Sequence, residues 1–339
     1  MQENDSQAGV RDAAGSGSPS RQRRKAILVV GMSRSGTSLM THILHTLGAT
    51  LPVDLIGPDR GNPFGHWEPR ALVDINSQVL SHLGVAWDDP RPLPGSWFRS
   101  REAHDYSLRI MARIEQDYAG SQLLLIKDPR LCRLLPLYGE ALEMLDIEAT
   151  VVLQVRPVAE IARSLAERDG ICPALGGLLW LRSVIEAEWH SRHRRRIWLG
   201  FAQVTAGWHD SIRRVAQQLD VNWPVDPAEA GERVASLLRP RSEDAQWVGS
   251  DTELPALPFV RAWEAIEAGI AGDEPTAQAG FDLVRASLND ADQLYTPIIT
   301  DLMNRHTARL QAIRASTCWR LTAPLRAMKQ RAFGLGGVR

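Results

Sequence analysis

Two hydrophobic rhythms divide the chain. Three short runs are wholly or mostly apolar and stop at a glycine or a charge: Ala26 to Val30 before Gly31, Leu123 to Ile126 before Lys127, and Ala149 to Val155 before Arg156. Runs of this length, rich in Val, Ile and Leu, predict strands of a parallel sheet buried on both faces. Elsewhere apolar residues recur at three- and four-residue steps, which predicts helices. Leu39, Met40, Ile43, Leu44 and Leu47 mark the first, ended by Gly48, and Leu72, Ile75, Val79, Leu80 and Leu83 mark a second over 71–84. Further helices are expected over 101–118, 158–168, 174–199, 208–219, 229–238 and 281–316, with one more strand from Gly200 to Thr205. Pro- and Gly-rich intervals at 52–69 and 85–98 predict loops, as does 224–258 apart from its short helix. The last long helix, with Leu294, Ile298, Leu302, Leu310 and Ile313, either packs on the body or pairs with another chain.

The turn between the first strand and the first helix is the stretch richest in chemistry. Gly31-Met32-Ser33-Arg34-Ser35-Gly36-Thr37-Ser38 combines two glycines for a sharp turn, free N–H groups at a helix start, several hydroxyls and the guanidinium of Arg34. That combination suits a dianionic phosphate. The general nucleotide-triphosphate loop has lysine where this chain has Thr37, so the cation has moved to Arg34 and a phosphate ester other than ATP is expected. In a parallel sheet Lys127, Asp128 and Arg130 at the second strand end, and Arg156 at the third, arrive at the same carboxyl edge. Ser164 follows Arg156 by eight residues, two turns into the next element. His66 and Glu68 lie in the 52–69 loop, which is long enough to fold back over the same ligand. Taken alone, that loop reads more plainly as a surface turn.

Composition narrows the function classes. A net charge of −1 with 23% charged residues gives no global electrostatic basis for nucleic-acid binding. Cys132, Cys172 and Cys318 lack metal-ligand spacing, which argues for a reducing compartment and against a disulfide framework or a zinc site. No apolar run approaches the ~20 residues of a bilayer span, and no secretory apolar core is apparent, so a cytoplasmic protein is expected. Residues 1–25 read as a disordered tail, with Arg21, Arg23, Arg24 and Lys25 as solvated charges ahead of a hydrophobic strand. Ser191 to Arg196 reads as the basic end of the 174–199 helix. Past Ser316 the chain carries Arg320, Arg326, Lys329, Arg331 and Arg339 and no acidic residue, interleaved with Trp319, Leu321, Leu325, Met328, Phe333 and Leu335. Pro324 and late glycines limit helices there to short pieces. Such a basic amphipathic tail either lies on an anionic membrane, here at the inner face, or stays solvated or bound to a partner.

Together these residues resemble the sulfotransferases that use 3′-phosphoadenosine-5′-phosphosulfate (PAPS). Gly31 to Ser38 is similar to their 5′-phosphosulfate loop, and Arg156 with Ser164 to their 3′-phosphate pair. Asn62-Pro63-Phe64-Gly65-His66-Trp67-Glu68 and Ile126-Lys127-Asp128-Pro129-Arg130 resemble bacterial carbohydrate-type members and the tyrosylprotein branch, so the resemblance covers residues 26–220. It is incomplete. The Arg/Lys-Gly-x-x-Gly segment of the cytosolic small-molecule branch is missing, and Gln203 to Gly207 lacks Tyr-Glu-x-Leu, which leaves Arg239 or Arg241 as candidates for a third phosphate contact.

The resemblance implies a three-layer α/β fold with a P-loop NTPase-like parallel sheet. It places a sulfotransferase domain at 26–225, a loop-rich and helical extension at 226–316 and a basic amphipathic tail at 317–339. It implies PAPS as donor, held by Ser33, Arg34, Ser35, Gly36, Thr37, Ser38, Arg156 and Ser164, and a hydroxyl acceptor on a sugar, glycan or glycolipid. Loop tryptophans Trp67, Trp87 and Trp97 permit stacking on sugar rings. Sulfuryl transfer needs the attacking oxygen, the sulfur and the departing phosphate oxygen in line, with cations where charge accumulates. Arg34 and Lys127 are the candidates for those cations. Glu68 or His66 is the candidate base, Glu68 being preferred. No metal is required. Two alternatives stay open: a P-loop kinase or ATPase, which needs a lysine at position 37 and a metal-binding carboxylate such as Asp128, and a non-catalytic nucleotide-binding or interaction protein working through its C-terminal helix and tail.

Overall fold

The computed structural model describes residues 23–59, 62, 65–238 and 256–332. The expected disorder of the N-terminal tail, and the readings placed on Arg21, Pro63, Phe64, Arg239, Arg241 and the last residues from Phe333, lie outside the described residues. In chain order the elements are β1 (Lys25–Val30), α1 (Thr37–Thr46), α2 (Arg70–His82), α3 (Arg101–Asp117), β2 (Leu123–Lys127), α4 (Leu131–Met144), β3 (Glu148–Val155), α5 (Val158–Asp169), α6 (Pro173–Ser191) and β4 (Arg196–Gly200). There follow α7 (Phe201–Ala206), α8 (Trp208–Leu219), α9 (Pro227–Leu238), α10 (Ala256–Ala271), α11 (Glu274–Ala315), α12 (Thr317–Leu321) and α13 (Ala323–Ala332).

The four strands are all parallel, in the order β2-β1-β3-β4. Apart from the first residue of β1 and of β3, every strand residue is buried, as strands covered on both faces must be. Alternate residues of β1 serve different cores, following the two-residue period of a strand. Ile27 and Val29 pack with Met40, Ile43 and Leu44 of α1 and with Trp208, Ile212 and Val215 of α8, whereas Ala26, Leu28 and Val30 join the core formed with α2 to α6. The result is a three-layer α/β body. Because the chain leaves β1 toward one side and later returns to the other, the strand order reverses between β1 and β3, and a crevice opens there at their carboxyl ends.

The larger core extends into α10 and the start of α11. Phe281 of α11 stacks on Trp198 of β4, with ring centroids 5.3 Å apart and planes 8° apart, and Val284 and Leu288 continue the same face. Farther on, α11 leaves the body: every residue from Asp301 to Leu325 is exposed. The helix both packs on the body and projects from it.

The sequence pattern misplaces the last strand. It merges Arg196 to Leu199 into a 174–199 helix and puts a strand at 200–205, whereas α6 ends at Ser191, β4 takes Arg196–Gly200 and α7 begins at Phe201. Ile197, Trp198 and Leu199 prolong the helical spacing, so hydropathy alone does not register the break. Side-chain bonding does: the Ser191 hydroxyl donates to the Ala187 carbonyl at 2.7 Å, and Arg196 donates to the Glu188 carbonyl at 2.6 Å and to Ser191 Oγ at 3.0 Å. Nor is the basic run an exposed helix end. Arg192 and Arg196 pair with buried Glu188 and reach Asp282 and Glu274 on α11.

The residues expected as solvated charges before β1 are also engaged. Arg24 donates to the Ser121 and Tyr118 carbonyls at 2.8 and 2.9 Å, and Lys25 pairs with Asp220 at 2.7 Å. The pattern gave no sign of α4, because that helix is buried nearly all round and carries no polar stripe to set a period. The three cysteines are unpaired, Cys132 buried and the other two exposed.

Leu28 is fully buried at the centre of the sheet. Leu28→Ala should lower the free energy of unfolding by about 2–5 kcal/mol in urea titration. Leu294→Ala, on the exposed part of α11, should change it by no more than ~0.5 kcal/mol.

Candidate active site

The loop after β1 is shaped by close approaches. Ser35 donates its backbone N–H to the Met32 carbonyl at 3.1 Å and its hydroxyl to the same oxygen at 2.7 Å. Arg34 and Gly36 take left-handed backbone conformations, with φ of 75° and 93°. A Cβ at Gly36 would stand 2.4 Å from the Phe201 ring, and one at Gly31 would stand 2.3 Å from the Gln154 carbonyl oxygen, so both glycines are required by space. No side chain caps the start of α1, and Gly36, Thr37 and Ser38 line a groove with their helix-terminal amides unclaimed by a cap.

That groove encloses ≈ 180 Å³ at the carboxyl ends of β1, β2 and β3. Four cations line it, Arg34, Lys127, Arg156 and Arg168, against one carboxylate, Glu68. Arg34 Nε donates to Ser164 Oγ at 2.8 Å, which ties the loop to α5. The Arg156 guanidinium lies over the Phe201 ring, 4.7 Å from its centroid, and pairs with Glu160. Arg168 pairs with Asp169 and approaches Ser33 Oγ at 3.5 Å. The structure therefore joins Ser164 to the loop arginine and holds Arg156 separately, on the ring of Phe201.

Lys127 and Glu68 form the buried centre of the groove, 2% and 7% exposed. Lys127 Nζ donates to Glu68 Oε1 at 2.6 Å, to the His66 carbonyl at 3.0 Å and to Ser38 Oγ at 3.3 Å, which uses all three ammonium protons. Between His66 and Glu68, Trp67 has a φ of 59°, a left-handed conformation that is costly for so bulky a residue. Its ring packs against His42 of α1, with centroids 4.1 Å apart, and so anchors the loop. Burial, and then the neighbouring His45, holds the His42 imidazole below its ordinary range. His66 places Nε2 2.9 Å from Asp59 Oδ2 and Nδ1 3.9 Å from Glu68 Oε1.

A second cavity of ≈ 170 Å³ shares a wall with the first, made by Ser33, His66, Glu68, Pro129 and Arg168. Its far side is apolar at Met32, Leu80 and Trp87 and basic at Arg130 and Arg133. The 85–98 loop, which contributes Trp87, is pinned by buried arginines from two helices. Arg133 donates to the Asp89 and Arg91 carbonyls at 2.9 and 2.5 Å, and Arg182 donates to the Pro90 carbonyl at 3.0 Å. Arg182 also pairs with Asp292, and Arg91 donates to Thr300 Oγ1 at 3.1 Å, so this loop is tied to α11 as well. Asp128, the carboxylate required by a kinase-like alternative, does not line the groove. It is 1% exposed and accepts hydrogen bonds from Asn76 at 2.8 Å and from Arg130 at 3.0 Å.

Most of the residues singled out by sequence thus meet at one edge of the sheet. Two further ones were missed. Arg168 stands one helical turn beyond Ser164, so an i,i+4 extension of that pair would have found it. Phe201 gave no such signal, because the residue sat in a misassigned strand.

The sequence matches no protein-family profile and no curated protein. Among solved structures the chain is similar to the sulfotransferase domain from the Synechococcus PCC 7002 olefin synthase, at 19% identity and a TM-score of 0.38 over 62% of this chain and 78% of that one. It is also similar to the sulfotransferase domain from the curacin biosynthetic pathway, at 12% identity and a TM-score of 0.35 over 59% of this chain and 75% of that one. At that distance the likeness decides nothing about chemistry. The groove has to speak for itself.

Removing one partner of the buried pair should be costly, because the other charge is left without compensation. Lys127→Met should destabilise the fold by about 3–5 kcal/mol. The double variant Lys127→Met/Glu68→Gln should recover most of that loss in the same urea titrations.

Proposed function

We propose that the chain is a PAPS-dependent sulfotransferase that transfers a sulfuryl group to a hydroxyl acceptor on a sugar, glycan or glycolipid. One observation carries the proposal: a groove with an uncapped helix start and four cations against one carboxylate, separated from a second, partly apolar cavity by a wall that contains Glu68 and His66. The charge balance suits a ligand with several anionic groups. Ser33 to Ser38 and Arg34 would hold the 5′-phosphosulfate, and Arg156 and Ser164 the 3′-phosphate. The adjoining cavity suits a hydroxyl carried on a partly apolar body, with Trp87 available for stacking.

The donor supplies an activated sulfuryl group on a phosphate leaving group. Glu68 accepts the proton of the acceptor hydroxyl as its oxygen bonds to sulfur, and Lys127 orients that carboxylate through the 2.6 Å contact. Arg34 takes up the negative charge left on the phosphate oxygen as the sulfur–oxygen bond breaks, and Lys127 does so by exchanging its 3.3 Å contact with Ser38 for that oxygen. Lys127 touches both the base and Ser38 at the loop, so it is placed to couple proton removal to leaving-group departure. The protein's own cations do the work that a divalent ion does in phosphoryl transfer.

The deciding measurement is thermal unfolding with adenosine 3′,5′-bisphosphate against ATP plus magnesium: the bisphosphate should raise the melting temperature and ATP should not. A shift with ATP alone would turn the assignment toward the kinase alternative. Arg156→Ala should weaken adenosine 3′,5′-bisphosphate while barely changing the affinity for adenosine 5′-phosphate, and equal losses would remove Arg156 from the 3′ site. Glu68→Gln should reduce turnover ~10²–10⁴-fold; because it also leaves the Lys127 charge without its counterion, the comparison is made on protein that thermal unfolding shows to be folded, with donor affinity measured alongside. Near-normal turnover would move the base to His66.

A further inference from the structure

The end of α11 and the two short helices after it have no place in the groove, and their chemistry is of one kind. Between Leu302 and Ala332 the sequence holds Arg305, Arg309, Arg314, Arg320, Arg326, Lys329 and Arg331 and no acidic residue. The same stretch exposes large apolar side chains: Leu302, Leu310, Ile313, Trp319, Leu321 and Leu325 are each at least 40% accessible. On α11 Leu302, His306, Leu310 and Ile313 follow one another at steps of four, four and three and so share one stripe. By the same helical geometry Arg305 and Arg309 fall along one edge of the stripe and Arg314 along the other. After α11, Trp319 lies under the Arg326 guanidinium, 3.8 Å from its centroid, so an aromatic ring and a cation share one surface. Among the described residues no helix is long and apolar enough to cross a membrane.

We infer that residues 302–332 form a docking surface for an anionic lipid bilayer, with the helices lying in the plane of the interface. An apolar stripe edged by arginines fits that partner on both counts. The leucines and Trp319 enter the boundary between headgroups and acyl chains, while the long basic stems reach back to the phosphates. A nucleic acid would satisfy the arginines but leave the apolar stripe uncovered. A second copy of this chain would cover the stripe but bring like charges together, seven from each chain, with Asp301 at the border already paired to Arg305 at 2.9 Å. This surface does not depend on the sulfotransferase assignment, since none of its residues lines the groove.

The test is co-sedimentation of the full chain with vesicles of equimolar phosphatidylglycerol and phosphatidylcholine, and with vesicles of phosphatidylcholine alone. The chain should pellet with the anionic vesicles at low salt, be released at high salt and ignore the neutral ones. Arg305→Glu/Arg309→Glu/Arg314→Glu should weaken partitioning by at least ~10-fold. Leu310→Ser/Ile313→Ser should weaken it too, which a purely electrostatic contact would not show. All five residues are exposed, so unchanged thermal unfolding should accompany both losses. Absence of pelleting by the full chain would overturn the inference, as would retention of binding by the triple variant. It would be overturned equally by light scattering that shows a dimer dissociated by Leu310→Ser/Ile313→Ser, or by a nucleic-acid duplex bound unchanged by that variant.

Discussion

The Lys127 ammonium stands at the end of β2, and its three protons go to a carboxylate, a backbone carbonyl and a hydroxyl from two other parts of the chain. Glu68 and the His66 carbonyl belong to the loop before α2, and Ser38 belongs to the first turn of α1. A buried ammonium with fewer partners would carry a heavy desolvation penalty, so each of these groups is held in position by the need to satisfy the same charge. The strained backbone at Trp67 fits this picture. It turns the chain so that the carbonyl before it and the carboxylate after it both reach one nitrogen, and packing on His42 offsets the cost.

What could be read from the sequence follows from where side chains meet the solvent and where they do not. β1, β2 and β3 announce themselves as apolar runs ending at a glycine or a charge, and α1, α2, α3, α5 and α8 each keep a polar face that sets a period. The loop from Gly31 to Ser38 is legible because its two glycines, one in a left-handed turn and one at a close approach, bracket a cluster of hydroxyls and Arg34. The failures share a cause. α4 is enclosed on nearly all sides, and the junction of α6 with β4 is marked by hydrogen bonds of Ser191, Glu188 and Arg196, to which hydropathy is blind. Two arginines of the run read as the basic end of a helix, Arg192 and Arg196, prove to be paired inside, with Glu188 of α6 and with Asp282 and Glu274 of α11, partners that the local sequence does not reveal.

The candidate site divides the same way. Residues that form a motif within one segment, such as Gly31, Gly36 and Arg34, are apparent from the chain alone, although the contacts that require the two glycines come from Gln154 and Phe201. Pairings across elements are not: Arg34 with Ser164, Arg156 over Phe201 and Arg168 near Ser33 all require the sheet order, which sets β1 beside β3 and brings α5 to the loop.

The two cavities are built from different kinds of material. Strand ends, the start of α1 and the last turn of α5 form most of the cation-lined groove, with the loop before α2 closing it. The far wall of its neighbour includes Trp87 of the 85–98 loop, whose course is held by arginines of α4 and α6 grasping backbone carbonyls. Carbonyls look alike whatever residue carries them. Mutational drift can therefore alter Trp87, which is 39% exposed, while the clamp holds the loop's course, and descendants of this chain could come to accept different partners while keeping a single chemistry.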